Sequence, residues 1–284
     1  MNELFKNSRD DYKTLKTEER NERSMNIDKM STVDMMRLMN DESRIICDAI
    51  DTQINEIAKS VDIIAKRIES GGSLIYVGAG TSGRLGVVDA SECPPTFGVD
   101  YRLVRGIIAG GESAMFHASE NVEDNEEQGK TDLIDDDVKN TDVVVGLSAS
   151  GGAPYVLGAL KYAKSIGATT IGITCNSDSR MHKICDITIA PYVGPEVVTG
   201  SSRLKAGTAQ KMVLNMLSTG AMIKTGKVRS NLMINVRPTN AKLRLRCIGI
   251  VCELCGCDEK IAAELIDQYE DISIAIEEFE KANR

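Results

Sequence analysis

The chain has 284 residues, 42% of them hydrophobic, enough to fill one large domain or two modest ones. Its formal net charge of −8 excludes any general attraction for nucleic acid or an anionic membrane, so an anionic substrate must be held by local groups. No apolar run approaches the roughly 18 residues of a membrane span, and the polar start lacks the apolar stretch of a secretory signal.

A cytoplasmic protein with reduced thiols is therefore expected, with eight cysteines. Residues 1–30 are hydrophilic and are expected to be extended or loosely docked. Residues 32–69 then repeat apolar side chains at helical spacing, among them Met35, Leu38, Ile46, Ile50, Ile57 and Ile64. Asp41 or Ser43 is the candidate cap of the second of these helices, and Gly71 and Gly72 end the last.

The period then shortens. "SLIYVGA", "YRLVRGIIAGG", "TDVVVGLSASGG", "ATTIGITCN" and "CDITIAP" are five strand candidates, with helical patterns between them. This alternation predicts an α/β fold, a doubly wound, mostly parallel five-stranded sheet with ligands beyond the carboxyl ends of its strands. A long helix is predicted from about residue 204 to 223, and "LRCIGIVCELCGC" reads as another, ending at Gly256. The tail divides into two short amphipathic helices near Glu270 and Asp271. Cys252, Cys255 and Cys257 read as packed helix cysteines rather than metal ligands, because no second ligand pair accompanies them.

Two turns carry the chemistry. The first strand leads into G-A-G-T-S-G, which fits the dinucleotide pattern G-x-G-x-x-G. The second strand, however, ends in Ala109, Gly110 and Gly111, with no carboxylate to hold a ribose hydroxyl, which argues against NAD. The first turn instead offers the hydroxyls of Thr81 and Ser82, followed by Gly83. The third strand delivers Ser148, Ala149, Ser150, Gly151 and Gly152. One such turn is an ordinary connector. Two at the ends of strands in one sheet, each leading into a helix, point to a phosphate monoester held by hydroxyls, N–H groups and helix dipoles. Glu196 and the segment "GSSRLKAGTAQK", with Arg203, Lys205 and Lys211, follow. Lysine at a helix start opposes the dipole, so this cluster points to an anionic ligand or a subunit contact, with a solvated basic face equally open.

The paired turns resemble the sugar isomerase (SIS) domain. The longer strings "YVGAGTSGRLGVVDASECPPTFG", "GPEVVTGSSRLKAGTAQKMVLNMLSTGAM" and "GKVRSNLMINV" are similar to the N-acetylmuramic acid 6-phosphate etherase family, over about residues 18–284. The resemblance implies an N-terminal segment over 1–45, an SIS-type sugar-phosphate domain over 46–228, and a helical region over 229–284 resembling a small ubiquitin-associated-like bundle. It implies a carbon–oxygen lyase that cleaves the D-lactyl ether of N-acetylmuramate 6-phosphate in cell-wall sugar recycling. Such an enzyme needs no metal or nucleotide cofactor and works as a homodimer with a shared active site.

Ring opening makes C1 an aldehyde and the C2 proton acidic, so one carboxylate can remove it while another protonates the leaving ether oxygen. The resemblance assigns Glu92, in "DASECPPTF", as the base and Glu123, in "SENVEDNEE", as the acid or its partner. Thr81, Ser82, Gly83, Ser148, Ser150, Gly151, Glu196 and Lys205 are the candidate substrate-binding residues. Taken without the family, Glu123 reads as solvated within an acidic run, and Glu92, beside two prolines, as rigid and less solvated. The chain departs from the family pattern at Gly152 and Ala153, where Arg and Thr are usual, a change expected to weaken anion binding by about 2 kcal/mol if nothing compensates. Ser148, and Arg229 from a neighbouring subunit, are the candidate compensations; Asn235 stands where Asp is more usual. A non-catalytic sugar-phosphate sensor and an aldose–ketose isomerase remain the competing readings, with an NAD dehydrogenase the most remote. Glu92 and Glu123 favour the lyase over the sensor.

Overall fold

A computed structural model describes residues 18–119, 121–238 and 240–283. Most of the polar start, residues 1–17, and Glu120 of the acidic run lie outside these.

Three helices come first: α1 (Thr32–Ser43), α2 (Ile45–Asp51) and α3 (Ile54–Glu69). Ser31 caps α1, its hydroxyl accepting from the Asp34 N–H. The expected cap of α2 is absent. The chain passes through Arg44 in helical conformation, leaving no break to cap. Ser43 donates instead to the Met39 carbonyl, and Asp41 pairs with Arg44. Asn21 and Arg23, expected to be loosely docked, both bond to the buried Glu42 on α1.

The sheet and its helices follow in alternation. β1 (Leu74–Gly78) leads to α4 (Gly80–Phe97), then β2 (Val104–Ile108), a short α5 (Ser113–Phe116) and α6 (Glu126–Asp135). β3 (Val143–Leu147), α7 (Pro154–Ser165), β4 (Thr169–Ile173), α8 (Met181–Ile184), β5 (Ile187–Ile189) and α9 (Lys205–Lys224) complete it. All five strands are parallel, in the order β2-β1-β3-β4-β5. The direction of winding therefore reverses between β1 and β3, where a crevice for ligands opens in such sheets.

Burial on both faces explains the nearly unbroken apolar strands. Leu74, Tyr76, Val143, Val145 and Leu147 pack with Ile57, Ile64, Phe97, Val213 and Leu217 on one side. Ile75, Val77 and Val144 pack with Leu133, Tyr155, Val156 and Leu160 on the other. Tyr76 adds a polar tie within the first layer. Its hydroxyl donates to Asp89 on α4 at 2.8 Å, and Asp89 accepts from Asn215 and Ser218 on α9. Burial, and then the Asp89 charge, hold that hydroxyl well above its ordinary pKa, so it remains a donor.

A hairpin of β6 (Val228–Arg229) and β7 (Leu232–Met233) leads to α10 (Ala241–Cys255), α11 (Glu259–Tyr269) and α12 (Ile272–Ala282). These pack Cys247, Val251, Ala262, Ile266, Ile272 and Ile276 into a separate apolar cluster. Gly256 ends α10 in the left-handed conformation, and Asp271 caps α12. Among the described residues no group of His, Cys, Asp or Glu is placed to hold a metal ion, and no helix is long and apolar enough to cross a membrane.

Gly83 decides how closely α4 approaches the sheet. A Cβ there would lie 2.6 Å from the Gly78 carbonyl oxygen and 2.7 Å from Ile108 Cγ1. Gly83→Ala is expected to lower stability by about 1–3 kcal/mol through overpacking, measured as a lower urea midpoint with an unchanged slope.

Candidate functional site

β1 and β3 pair in register to their last residues, Gly78 opposite Leu147, so the two bends that follow start side by side. The first runs from Ala79 into α4. Ala79 is the N-cap residue and its methyl group cannot cap, so α4 starts without a side-chain acceptor. Thr81 and Ser82 stand in this first turn, both half-buried. The second bend runs from Ser148 to Ala153, and α7 again starts without a side-chain cap, at Pro154.

The second bend is stapled by its own hydroxyls. Ser148 Oγ accepts from the Gly151 N–H at 3.1 Å and from the Ala153 N–H at 3.5 Å, while Ser150 Oγ accepts from the Gly152 N–H at 3.3 Å. The two longer bonds are weak. Gly151 has φ +69 and sits against Thr174 and Ser179, where a Cβ would come within 2.7 Å of Thr174 Oγ1. Only glycine fits both demands.

The start of α9 completes the surroundings. A Cβ on Gly207 would lie 3.6 Å from Thr81 Cγ2, so the first turns of α9 and α4 touch. Glu196 caps α9 with both carboxylate oxygens, accepting from the N–H groups of Lys205 and Ala206 at 3.0 Å each. Lys205 is only 3% exposed, and its Nζ donates to Glu42 at 2.6 Å. Both were expected to bind substrate, and here both are committed to other partners. Burial alone would raise the Glu42 carboxyl, but hydrogen bonds from Lys205 and Asn21 and the charges of Lys205 and Arg23 hold it below its ordinary range. Cys175, beside the start of α9, has its thiol pushed up to about 12, mainly by burial and then by the Glu196 charge, so it is not a thiolate nucleophile.

Two carboxamides not singled out in the sequence also reach the bends. Gln210 on α9 accepts the Ser82 hydroxyl at 2.8 Å, and Asn176, after β4, donates to the Ser150 carbonyl at 2.9 Å. Gln210 Nε2 and Asn176 Oδ1 are buried without partners. The signal for Gln210 was a polar residue within the buried stripe of α9, between Ala206, Ala209, Val213 and Leu214.

The two candidate carboxylates are placed differently. The Glu123 carbonyl accepts from the Tyr155 N–H at 2.9 Å, which ties Glu123 to the first turn of α7. Its side chain is solvent-exposed. Glu92 is exposed too, contrary to the less solvated setting expected of it. The helix continues through Pro94 and Pro95, and Glu92 lies off the buried stripe of Gly86, Asp89, Ala90, Cys93 and Phe97. Eleven residues of helix separate it from Thr81, about 16 Å along the axis. Arg229 bonds to Glu280 at 2.7 Å. A cleft of about 950 Å³ opens beside β2, lined by Gly110, Glu112, Asn125 and Asp132, but neither bend contributes to it.

Residues 56–164 match the glucokinase regulatory protein N-terminal SIS domain, and residues 111–220 match the SIS domain. The chain is 55% identical over 265 residues to an N-acetylmuramic acid 6-phosphate etherase of Clostridium beijerinckii, covering 93% of this chain and 87% of the relative. It is 56% identical over 261 residues to one of Aliivibrio fischeri, covering 92% and 87%. A phosphoheptose isomerase from Francisella tularensis shares the fold, with a TM-score of 0.54 and 16% identity over 68% of this chain and all of that one.

Glu42→Gln leaves the buried Lys205 ammonium without its counter-charge and is expected to cost about 3 kcal/mol at neutral pH. The folded carboxyl titrates below its ordinary 4.5, so its contribution is complete above about pH 4.5 and is lost as the pH falls through the lower folded value. Urea unfolding of both proteins across the acid range is expected to show the gap between them narrowing as the pH falls.

Proposed function

Because this chain belongs to the N-acetylmuramic acid 6-phosphate etherase family, we propose that its two uncapped bends hold the 6-phosphate of an open-chain N-acetylmuramate while carboxylates act at C2 and C3. The chain is a carbon–oxygen lyase that cleaves the D-lactyl ether of N-acetylmuramate 6-phosphate, leaving N-acetylglucosamine 6-phosphate and D-lactate. The observation that carries the site reading is the pair of helix starts, α4 and α7, side by side and without side-chain caps. Thr81, Ser82, Ser148 and Ser150 surround them with hydroxyls. Gly152 and Ala153 lack the guanidinium and hydroxyl usual there, but their backbone N–H groups make only long bonds to serine oxygens, and a phosphate can displace those acceptors.

The chemistry follows from an aldehyde at C1. Glu92 takes the C2 proton, the electron pair forms the C2–C3 double bond, and the C3–O bond breaks. Glu123 protonates the departing lactate oxygen. Water then adds at C3 as the same groups run in reverse.

Glu123 stands at the first turn of α7, beside the bend. Glu92 lies further from Thr81 along α4 than a hexose phosphate is long. A second copy, docked on the exposed α4 face of Val88, Ser91 and Glu92, brings its own Glu92 to this bend. This reading makes the enzyme a cytoplasmic homodimer with shared sites.

Incubation with N-acetylmuramate 6-phosphate is expected to release D-lactate, and Glu92→Gln to lower kcat by about 10²–10⁴ with little change in KM. Mixing Glu92→Gln with Glu123→Gln protein is expected to restore about a quarter of the activity, since half of the dimers are mixed and half of their sites are intact. No restoration after subunit exchange would mean that both carboxylates come from one chain.

A further inference from the structure

Gln210 is 1% exposed, yet only half of its amide is used. Its Oε1 accepts the Ser82 hydroxyl, while Nε2 has neither a partner nor contact with solvent. Leaving buried donors unmet costs about 1–3 kcal/mol, and an orphaned N–H is tolerated less well than an orphaned carbonyl. The arrangement also turns the Ser82 proton inward, away from the uncapped start of α4. A phosphate dianion only accepts hydrogen bonds, so a hydroxyl committed to Oε1 offers it nothing.

Rotating the carboxamide by half a turn about its last bond corrects both faults. Nε2 then donates to Ser82 Oγ, and the Ser82 O–H is released toward the bend. Only a carbonyl oxygen is left without a donor. That torsion is broad and two-fold, so the change needs no backbone movement. In an empty bend the outward hydroxyl meets the N–H donors of the α4 start, which favours the inward arrangement. An anion in the bend reverses that preference.

We infer that Gln210 is a positioning residue that sets the direction of the Ser82 hydroxyl, inward when the bend is empty and outward when a phosphate ester occupies it. The inference rests on the reading of Ser82 as a phosphate donor given above.

A double-mutant cycle tests it. Gln210→Met keeps the volume and removes both hydrogen-bonding roles, and Gln210→Leu is a second such change. KM and kcat for lactate release, and the inhibition constant of inorganic phosphate, are measured for each variant alone and with Ser82→Ala. Folding is checked by thermal melting. Ser82→Ala is expected to raise KM and the phosphate inhibition constant about tenfold, and either Gln210 variant about threefold, with kcat within about twofold. In the Ser82→Ala protein the Gln210 variants are expected to add nothing, because their effect runs through that hydroxyl. Full additivity overturns the inference and makes Gln210 a packing residue or a direct ligand. If Ser82→Ala alone changes neither constant, the phosphate reading of Ser82 fails and takes the inference with it. Whichever Gln210 variant folds decides the question.

Discussion

The parallel pairing of β1 with β3 ends two strands at one level, about 4.8 Å apart, and hands the chain to two helices that start without side-chain caps. The positive ends of two helix dipoles then face the same space. At α7 the first residue, Pro154, has no N–H and the Tyr155 N–H bonds to the Glu123 carbonyl, whereas no side chain caps α4. Ser148 and Ser150 accept three N–H bonds within the second bend, two of them at 3.3 and 3.5 Å, and Ser82 turns its hydroxyl away from the first. The nearby α9 shows the contrast, because Glu196 satisfies its leading N–H groups with a full carboxylate. Of three helices that start around this space, the one sealed by the protein's own anion is the one that cannot take a foreign anion.

The same contrast explains how a chain of net charge −8 can hold a phosphate ester. Lys205, the cation expected at the site, is neutralised in place by Glu42, which Asn21 and Arg23 also grip. That network fastens the N-terminal segment to the start of α9 and leaves the Lys205 charge paired. Replacement of the family's Arg and Thr by Gly152 and Ala153 removes a further cation.

α4 sets the division of labour. Its first turn borders the first bend, its middle is clamped by Asp89 to β1 and α9, and its later turns expose Glu92. A helix so held cannot bend Glu92 back to its own bend.

Much of this was legible in the sequence, because it follows from local rules. Strand and helix periods, the doubly wound order, both Ser/Gly bends and the stops at Gly256 and Glu270 all arise from backbone hydrogen bonding and from apolar burial that repeats along the chain. The missing cap on α2 was a local misjudgement, where a helix passed through Arg44 without the break that a cap requires. The rest depended on partners far apart in sequence. Whether the Lys205 charge was free and which way Ser82 pointed were decided by Glu42 and Gln210, up to 163 positions away, and the face that Glu92 presents by the packing of α4 against the sheet and α9. The sequence by itself determined where helix starts and hydroxyls fall along the strands. Only the tertiary structure decided which starts stayed open, because filling one takes an acceptor that the chain brings back from elsewhere.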